Sequence, residues 1–123
     1  MAYVDGFVLT VPKKKLGQYR KMAQMGAKLW KKHGALRYFE CVGDDLTPDT
    51  GDMKLSTFPK IAKPKPGETV VFSFIVFKSK THRNKVNAKV MKESMNDPKW
   101  KDMPMPFDMK RMAYGGFRTI VEA

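Results

Sequence analysis

Thr69-Val70-Val71-Phe72-Ser73-Phe74-Ile75-Val76-Phe77 is the stretch that decides the fold. It is rich in β-branched and aromatic residues, and Gly67 precedes it, so it reads as a strand. Successive side chains of a strand point to opposite faces. Phe72, Phe74 and Val76 therefore share one face, and Val71, Ile75 and Phe77 share the other. A sheet with helices on one side and water on the other alternates apolar with polar residues. This strand does not, so both faces of its sheet are expected to be buried.

Upstream, Tyr3 to Val11 is a second strand candidate, and Pro12 suits the first turn of a helix. Leu16, Tyr19, Ala23, Gly26 or Ala27, Trp30 and His33 then recur at helical spacing, widened by Met22, Met25 and Leu29. Lys14, Lys21, Lys28, Lys31 and Lys32 lie largely off that stripe, and Gly34 stops the helix. Ala35 to Gly43 reads as a strand ended by Asp44-Asp45. The stretch 46–68 holds Pro48, Pro59, Pro64 and Pro66 with Gly51 and Gly67; it is too broken for a long element, with a short helical turn expected at Phe58 to Ala62. Downstream of the central strand, a helix runs from Thr81 to Met95, with Val86, Val90 and Met91 on its inner side. Asp97-Pro98 ends it, and a Met- and Pro-rich connection runs from Trp100 to Pro106. A last strand spans Met112 to Val121, where Gly115-Gly116 suggests a bulge or a close backbone contact. The order is β-α-β-β-α-β in one α+β domain covering residues 1–123, a ferredoxin-like arrangement.

Two helices cover one sheet face only. A second copy of the chain is the simplest cover for the other face, since each buried Phe contributes roughly 1.5–3 kcal/mol. Phe72 and Phe74 are the interface candidates, although the pattern leaves open which face meets the partner. The alternative is that the long loop at 46–68 folds over that face.

The chain has 123 residues, 42% of them hydrophobic, which is a globular composition. No apolar run approaches the ~20 residues of a membrane span, and the N-terminus lacks a signal-peptide pattern. A single cysteine, Cys41, excludes an internal disulfide and fits a reducing cytosol; mid-strand, it is expected to be a buried, inert thiol. The net charge is +12, from 24 basic and 12 acidic residues. Nucleic acid, an anionic membrane surface or an acidic partner would each suit it. Lysine-rich solvated helix faces account for it without any of them.

Several stretches form a recognisable set: Tyr3-Val4-Asp5-Gly6-Phe7, Trp30 through Glu40-Cys41-Val42-Gly43-Asp44-Asp45, Glu68 through Phe74, His82-Arg83, Val86 through Met91, Met105-Pro106-Phe107-Asp108 and Arg111 through Phe117. With them the chain resembles the YbaA-like family of short bacterial proteins, a domain-of-unknown-function family. The resemblance covers nearly the whole chain. It implies the dimeric α/β-barrel fold, in which two ferredoxin-like units pair through their sheets. It implies no activity and no catalytic residues.

Candidate chemistry concentrates in a few places. Lys78, Lys80, His82, Arg83 and Lys85 crowd the start of the second long helix without an acid. Cations there oppose the helix dipole, and positive side chains with free N–H groups make an anion site. His82 and Arg83 are therefore the anion-binding candidates, facing either a small anionic ligand or an internal carboxylate from Asp5, Glu40 or Asp108. Asp5, Arg37, Glu40 and Arg118 are charges within apolar strands and need partners. For catalysis the candidates are Glu40, His82, Arg83, Asp108 and Arg111, with His82 carrying the proton, the arginines holding an anion and the carboxylates orienting them. No metal or cofactor is indicated: His33 and His82 belong to no ligand motif, and His33 suits a helix end. Phe72-Ser73-Phe74-Ile75-Val76-Phe77 comes close to the third-strand motif of RNA-recognition domains, whose aromatics stack on bases. It lacks that motif's basic-Gly lead-in and its first-strand companion. Three readings follow: a homodimer binding a small anionic molecule between sheet and helices, an RNA-binding module, and a structural or stress-related dimer without a ligand.

Overall fold

A computed structural model describes residues 1–123. Four strands form one antiparallel sheet: β1 (Tyr3–Pro12), β2 (Arg37–Val42), β3 (Glu68–Phe77) and β4 (Ala113–Arg118). Their order is β2-β3-β1-β4, which puts the two most apolar strands in the middle. Helix α1 (Leu16–Lys32) joins β1 to β2, and α3 (Lys80–Met95) follows β3. Two short helices, α2 (Phe58–Ala62) and α4 (Pro98–Lys101), sit in the connections. The molecule is thus an α+β protein, and no helix is long and apolar enough to cross a membrane.

The helices cover the face that carries Leu9, Val11, Val71, Ile75 and Phe77, all of them buried. α1 contributes Tyr19, Ala23, Gly26 and Leu29 to this side, and α3 contributes Val86 and Val90. Met91 is exposed, so the inner stripe of α3 is narrower than its periodicity predicts. The core falls into two clusters. One joins Leu29, Ala35, Ile75, Phe77, Val86 and Val90. The other joins Leu9, Val11, Tyr19, Ala23 and Val71.

The opposite face carries Phe39, Phe72, Phe74, Val76, Val4, Val8 and Phe117, as the strand register requires. α2 packs against β1 and β3 at one end of this face, with the Phe58 ring edge-on to Phe72 at 6.2 Å. There Thr10 and Val70 are buried. Elsewhere the loop does not reach, and Phe72 remains 42% and Phe117 63% exposed. Cys41 lies opposite Phe72 on the same face and is exposed, not buried as its strand position suggested. In one copy of the chain, nothing covers it.

β4 pairs with β1 without a bulge, and of the two glycines it is Gly116 that serves a close approach instead. A Cβ on Gly116 would overlap the Arg83 guanidinium and the Tyr3 hydroxyl.

Candidate functional site

Glu40 lies on the helix-facing side of β2, directly across from Ser73 of β3. Its carboxylate accepts two short hydrogen bonds, from the Tyr19 hydroxyl to Oε1 and from the Tyr38 hydroxyl to Oε2, each 2.7 Å. Tyr38 reaches it because residues two apart on a strand share a face. Tyr19 reaches it from α1. Burial, and then the Glu40 charge, push both phenols well above their ordinary value, so they stay protonated and donate. Glu40 makes no ion pair, whereas Asp5 and Glu68 each have one and Glu93 meets both Lys32 and His33.

These groups form one wall of a cleft of about 240 Å³ between sheet and helices. The cleft is lined by 16 residues, 13 of them hydrophobic, drawn from both core clusters. Gly26 of α1 makes room for it: a Cβ there would meet the Tyr38 hydroxyl at 3.1 Å and the rings of Trp30 and Trp100 just beyond. The Met-rich connection closes the far side with Met103, Met105 and Phe107. Ser73 is 4% exposed and also lines the cleft; the fully buried hydroxyl without a partner is that of Thr10, on the opposite face.

A second polar cluster sits beside the cleft. Asp5 is 1% exposed and accepts from Arg83 Nε (3.0 Å), Asn87 Nδ2 (3.3 Å) and the Tyr114 hydroxyl (3.2 Å). The other two guanidinium nitrogens of Arg83 donate to Asn84 and to the Tyr3 hydroxyl. Burial lowers the affinity of Arg83 for its proton, but the Asp5 charge and the neighbouring tyrosines raise it further, for a net upward shift. Of the two partners expected for the cationic start of α3, the structure supplies the internal carboxylate. Asn87 also accepts from Trp30 Nε1 at 3.0 Å, which links this cluster to the wall of the cleft.

The remaining candidates lie apart. His82 Nδ1 accepts from the Lys78 backbone N–H at 3.0 Å, and its ring packs edge-on to Phe77. Asp108 caps a 3-10 turn by accepting from Lys110 N at 3.0 Å. Arg111 ends that turn and donates twice to Glu68, at 2.9 and 2.8 Å, fastening the end of the Met-rich connection to the start of β3. Of the five catalytic candidates, only Glu40 lines the cleft; His82 and Arg83 share the start of α3, and Asp108 and Arg111 share the 3-10 turn. His33 caps α1 and pairs with Glu93 at 2.9 Å. Arg37 lies over the Phe39 ring, and Arg118 is exposed. No group of three or more His, Cys, Asp or Glu side chains is placed to hold a metal ion.

The Arg111 pair has a measurable consequence. Its hydrogen bonds, opposed by burial, pull the Glu68 carboxyl from 4.5 down to about 2. A depressed folded value stabilises the fold above the unfolded value and ceases to do so as pH falls through the folded one. Arg111→Met should therefore melt below the parent at neutral pH. The gap should narrow as pH falls from 4.5 to about 2. Thermal melts across that range check this, and a gap independent of pH would show that the pair contributes nothing.

The family model described as "Protein of unknown function (DUF1428)" matches residues 2–109. The chain belongs to this family. It is also 44% identical over 124 residues to "Uncharacterized protein YbaA" of Escherichia coli (strain K12), covering 99% of each chain. A protein of the same name from Shigella flexneri matches to the same extent. The DUF1428 match takes in Asp5, Glu40, Ser73 and Arg83 and stops just before Arg111.

In this DUF1428 chain the sequence reading missed Tyr19, Tyr38 and Ser73 as partners of the cleft. A signal for two of them was present. Tyr38 and Glu40 share a strand face by parity, and Ser73 is the lone hydroxyl on the buried face between Val71 and Ile75. The contribution of Trp100 and the methionines depends on how the connection folds back, which no local pattern specifies.

Proposed function

We propose that this chain forms a homodimeric α/β barrel from two ferredoxin-like units and binds a small, mainly apolar molecule in the cleft between sheet and helices. The observation that carries the binding reading is a core divided by a cleft. Protein interiors are close-packed, and an unfilled gap forfeits contacts on every wall. A dry cavity of about 150 Å³ accepts benzene, so 240 Å³ suits a substituted single ring. The anionic version of the reading drew on His82 and Arg83. With Arg83 engaged by Asp5, and with a carboxylate in the cleft itself, the local field favours a neutral or positive occupant.

The strand order β2-β3-β1-β4, with α1 and α3 on one face, supports the ferredoxin-like unit. The uncovered aromatic face supports a second copy as its cover. Interface cores are depleted of charge. On this face the charged strand residues, Arg37 and Glu68, lie at strand ends, and Glu68 is already paired. The same aromatics favour the RNA reading, but stacking platforms for nucleic acid combine rings with cations along the groove. The middle of this face has none.

The cleft is tested by the chain's two tryptophans, Trp30 and Trp100, which both line it. Single-ring apolar compounds should change their fluorescence saturably and raise the melting temperature. Ala23→Leu, which fills the cleft from α1, should weaken that response at least ten-fold while the chain stays folded. No response in the parent chain would remove the ligand and leave the reading of a dimer without one.

A further inference from the structure

We propose that the cleft recognises an organic ammonium group carried on a ring-sized apolar body. This rests on the cleft being a ligand site and names the chemistry that the site would select.

The argument begins with Glu40. It stands in a chain with twice as many basic as acidic residues, yet no cation lies within ion-pair distance of it. No Lys, Arg or His lines the cleft. A partly buried carboxylate without a counter-charge is costly. The two tyrosine hydroxyls satisfy it only in part. A carboxylate offers about four acceptor positions, and Tyr19 and Tyr38 fill one on each oxygen. They also fix its orientation, so the remaining acceptor positions are held in place.

Ser73 supplies the second observation. It faces Glu40 across the β2–β3 pairing, is more than nine-tenths buried and lines the cleft, which puts a hydroxyl in the same wall as the carboxylate. An ammonium carries several N–H donors. One can go to Glu40 and another to the Ser73 oxygen. The rest of the wall suits the body of such a molecule. Phe7, Tyr19, Trp30, Tyr38, Trp100 and Phe107 surround the cleft, and aromatic rings attract a cation within about 6 Å of their centroids. An acid of the same shape would meet the Glu40 charge, and a neutral alcohol would leave that charge unbalanced.

The test compares three probes of one shape: 2-phenylethylamine, 2-phenylethanol and 3-phenylpropanoate. Affinities are read by titration calorimetry and tryptophan fluorescence at neutral pH. The amine should bind at least ten-fold tighter than the alcohol, and the acid should bind weakest. Glu40→Gln should abolish that preference while leaving the alcohol's affinity within about three-fold, with circular dichroism confirming the fold. If Glu40→Gln does not fold, Ser73→Ala takes its place and should lower amine affinity several-fold without changing the alcohol's. An amine that binds no tighter than the alcohol overturns the ammonium proposal and leaves the cleft standing. If neither binds, the cleft reading falls with it.

Discussion

Phe72→Glu should convert the protein from a dimer to a monomer at micromolar concentration without unfolding it. Phe72 is 42% exposed in a single copy, so a polar group there can stay wet when the partner is absent. In a dimer paired through this face, the same position is covered. Burying a Phe contributes roughly 1.5–3 kcal/mol. A two-fold interface contains the residue twice, but pairing covers only the 42% that is still exposed, which gives about 1.3–2.5 kcal/mol, or a roughly 10- to 70-fold rise in dissociation constant, to which the cost of burying the Glu charge adds. Sedimentation of both proteins across a concentration series measures it. Phe74→Glu should also disrupt assembly, but its ring stacks on Phe39 at 4.8 Å, so part of its effect falls on the fold. Phe117→Glu is the cleaner second variant, being 63% exposed and held by little within its own chain. A parent chain that sediments as a monomer, or a Phe72→Glu chain that dimerises as tightly as the parent, would falsify the paired-sheet arrangement.

The two apolar strand faces behind that expectation were legible in the sequence because they depend on parity. Strand side chains alternate, so the run at residues 70–77 declares two apolar faces regardless of what surrounds it. The same local physics located α1, α3 and the short Phe58–Ala62 helix, whose Thr57 cap accepts from Lys60 N and whose Pro59 sits in the first turn. Local patterns failed where the neighbourhood is set from far along the chain. Cys41 was expected to be buried because strands in small domains usually are. It is exposed because the loop that crosses its face covers only the Thr10 and Val70 end. The fold of the Trp100 region was likewise unreadable. Asp97 caps a single helical turn there, and that turn brings Trp100 to the cleft opposite Gly26.

The candidate site was legible only in its charges. Asp5 and Glu40 stood out as acids inside apolar strands, and each is the centre of a polar cluster. Their partners come from elements 21 to 109 residues away, apart from Tyr38. Composition cannot say which acid meets which base at such separations. His82 shows the converse. Basic crowding drew attention to it, but the helix it begins satisfies its ring locally, through the Lys78 backbone.

Arg83→Met should be the most destabilising of the substitutions outside the hydrophobic core. Asp5 is 1% exposed, and Arg83 is its only charged partner. Removing one member of a buried pair strands the other, which costs about 3–5 kcal/mol. Asn87 and Tyr114 still donate to Asp5, so the lower end of that range is expected. Urea denaturation at fixed protein concentration reads it, because a paired protein's midpoint also depends on concentration. Asp5→Leu combined with Arg83→Met should recover part of the loss, since an apolar pair leaves no charge unpaired. Gly116→Ala should reproduce the defect with Arg83 intact, because its Cβ would displace the guanidinium from Asp5. A different result would reassign the residue. If Arg83→Met is as stable as the parent but loses binding of an anion such as inorganic phosphate, then the α3 start serves a ligand, and Asp5 is not the partner that holds Arg83 in place.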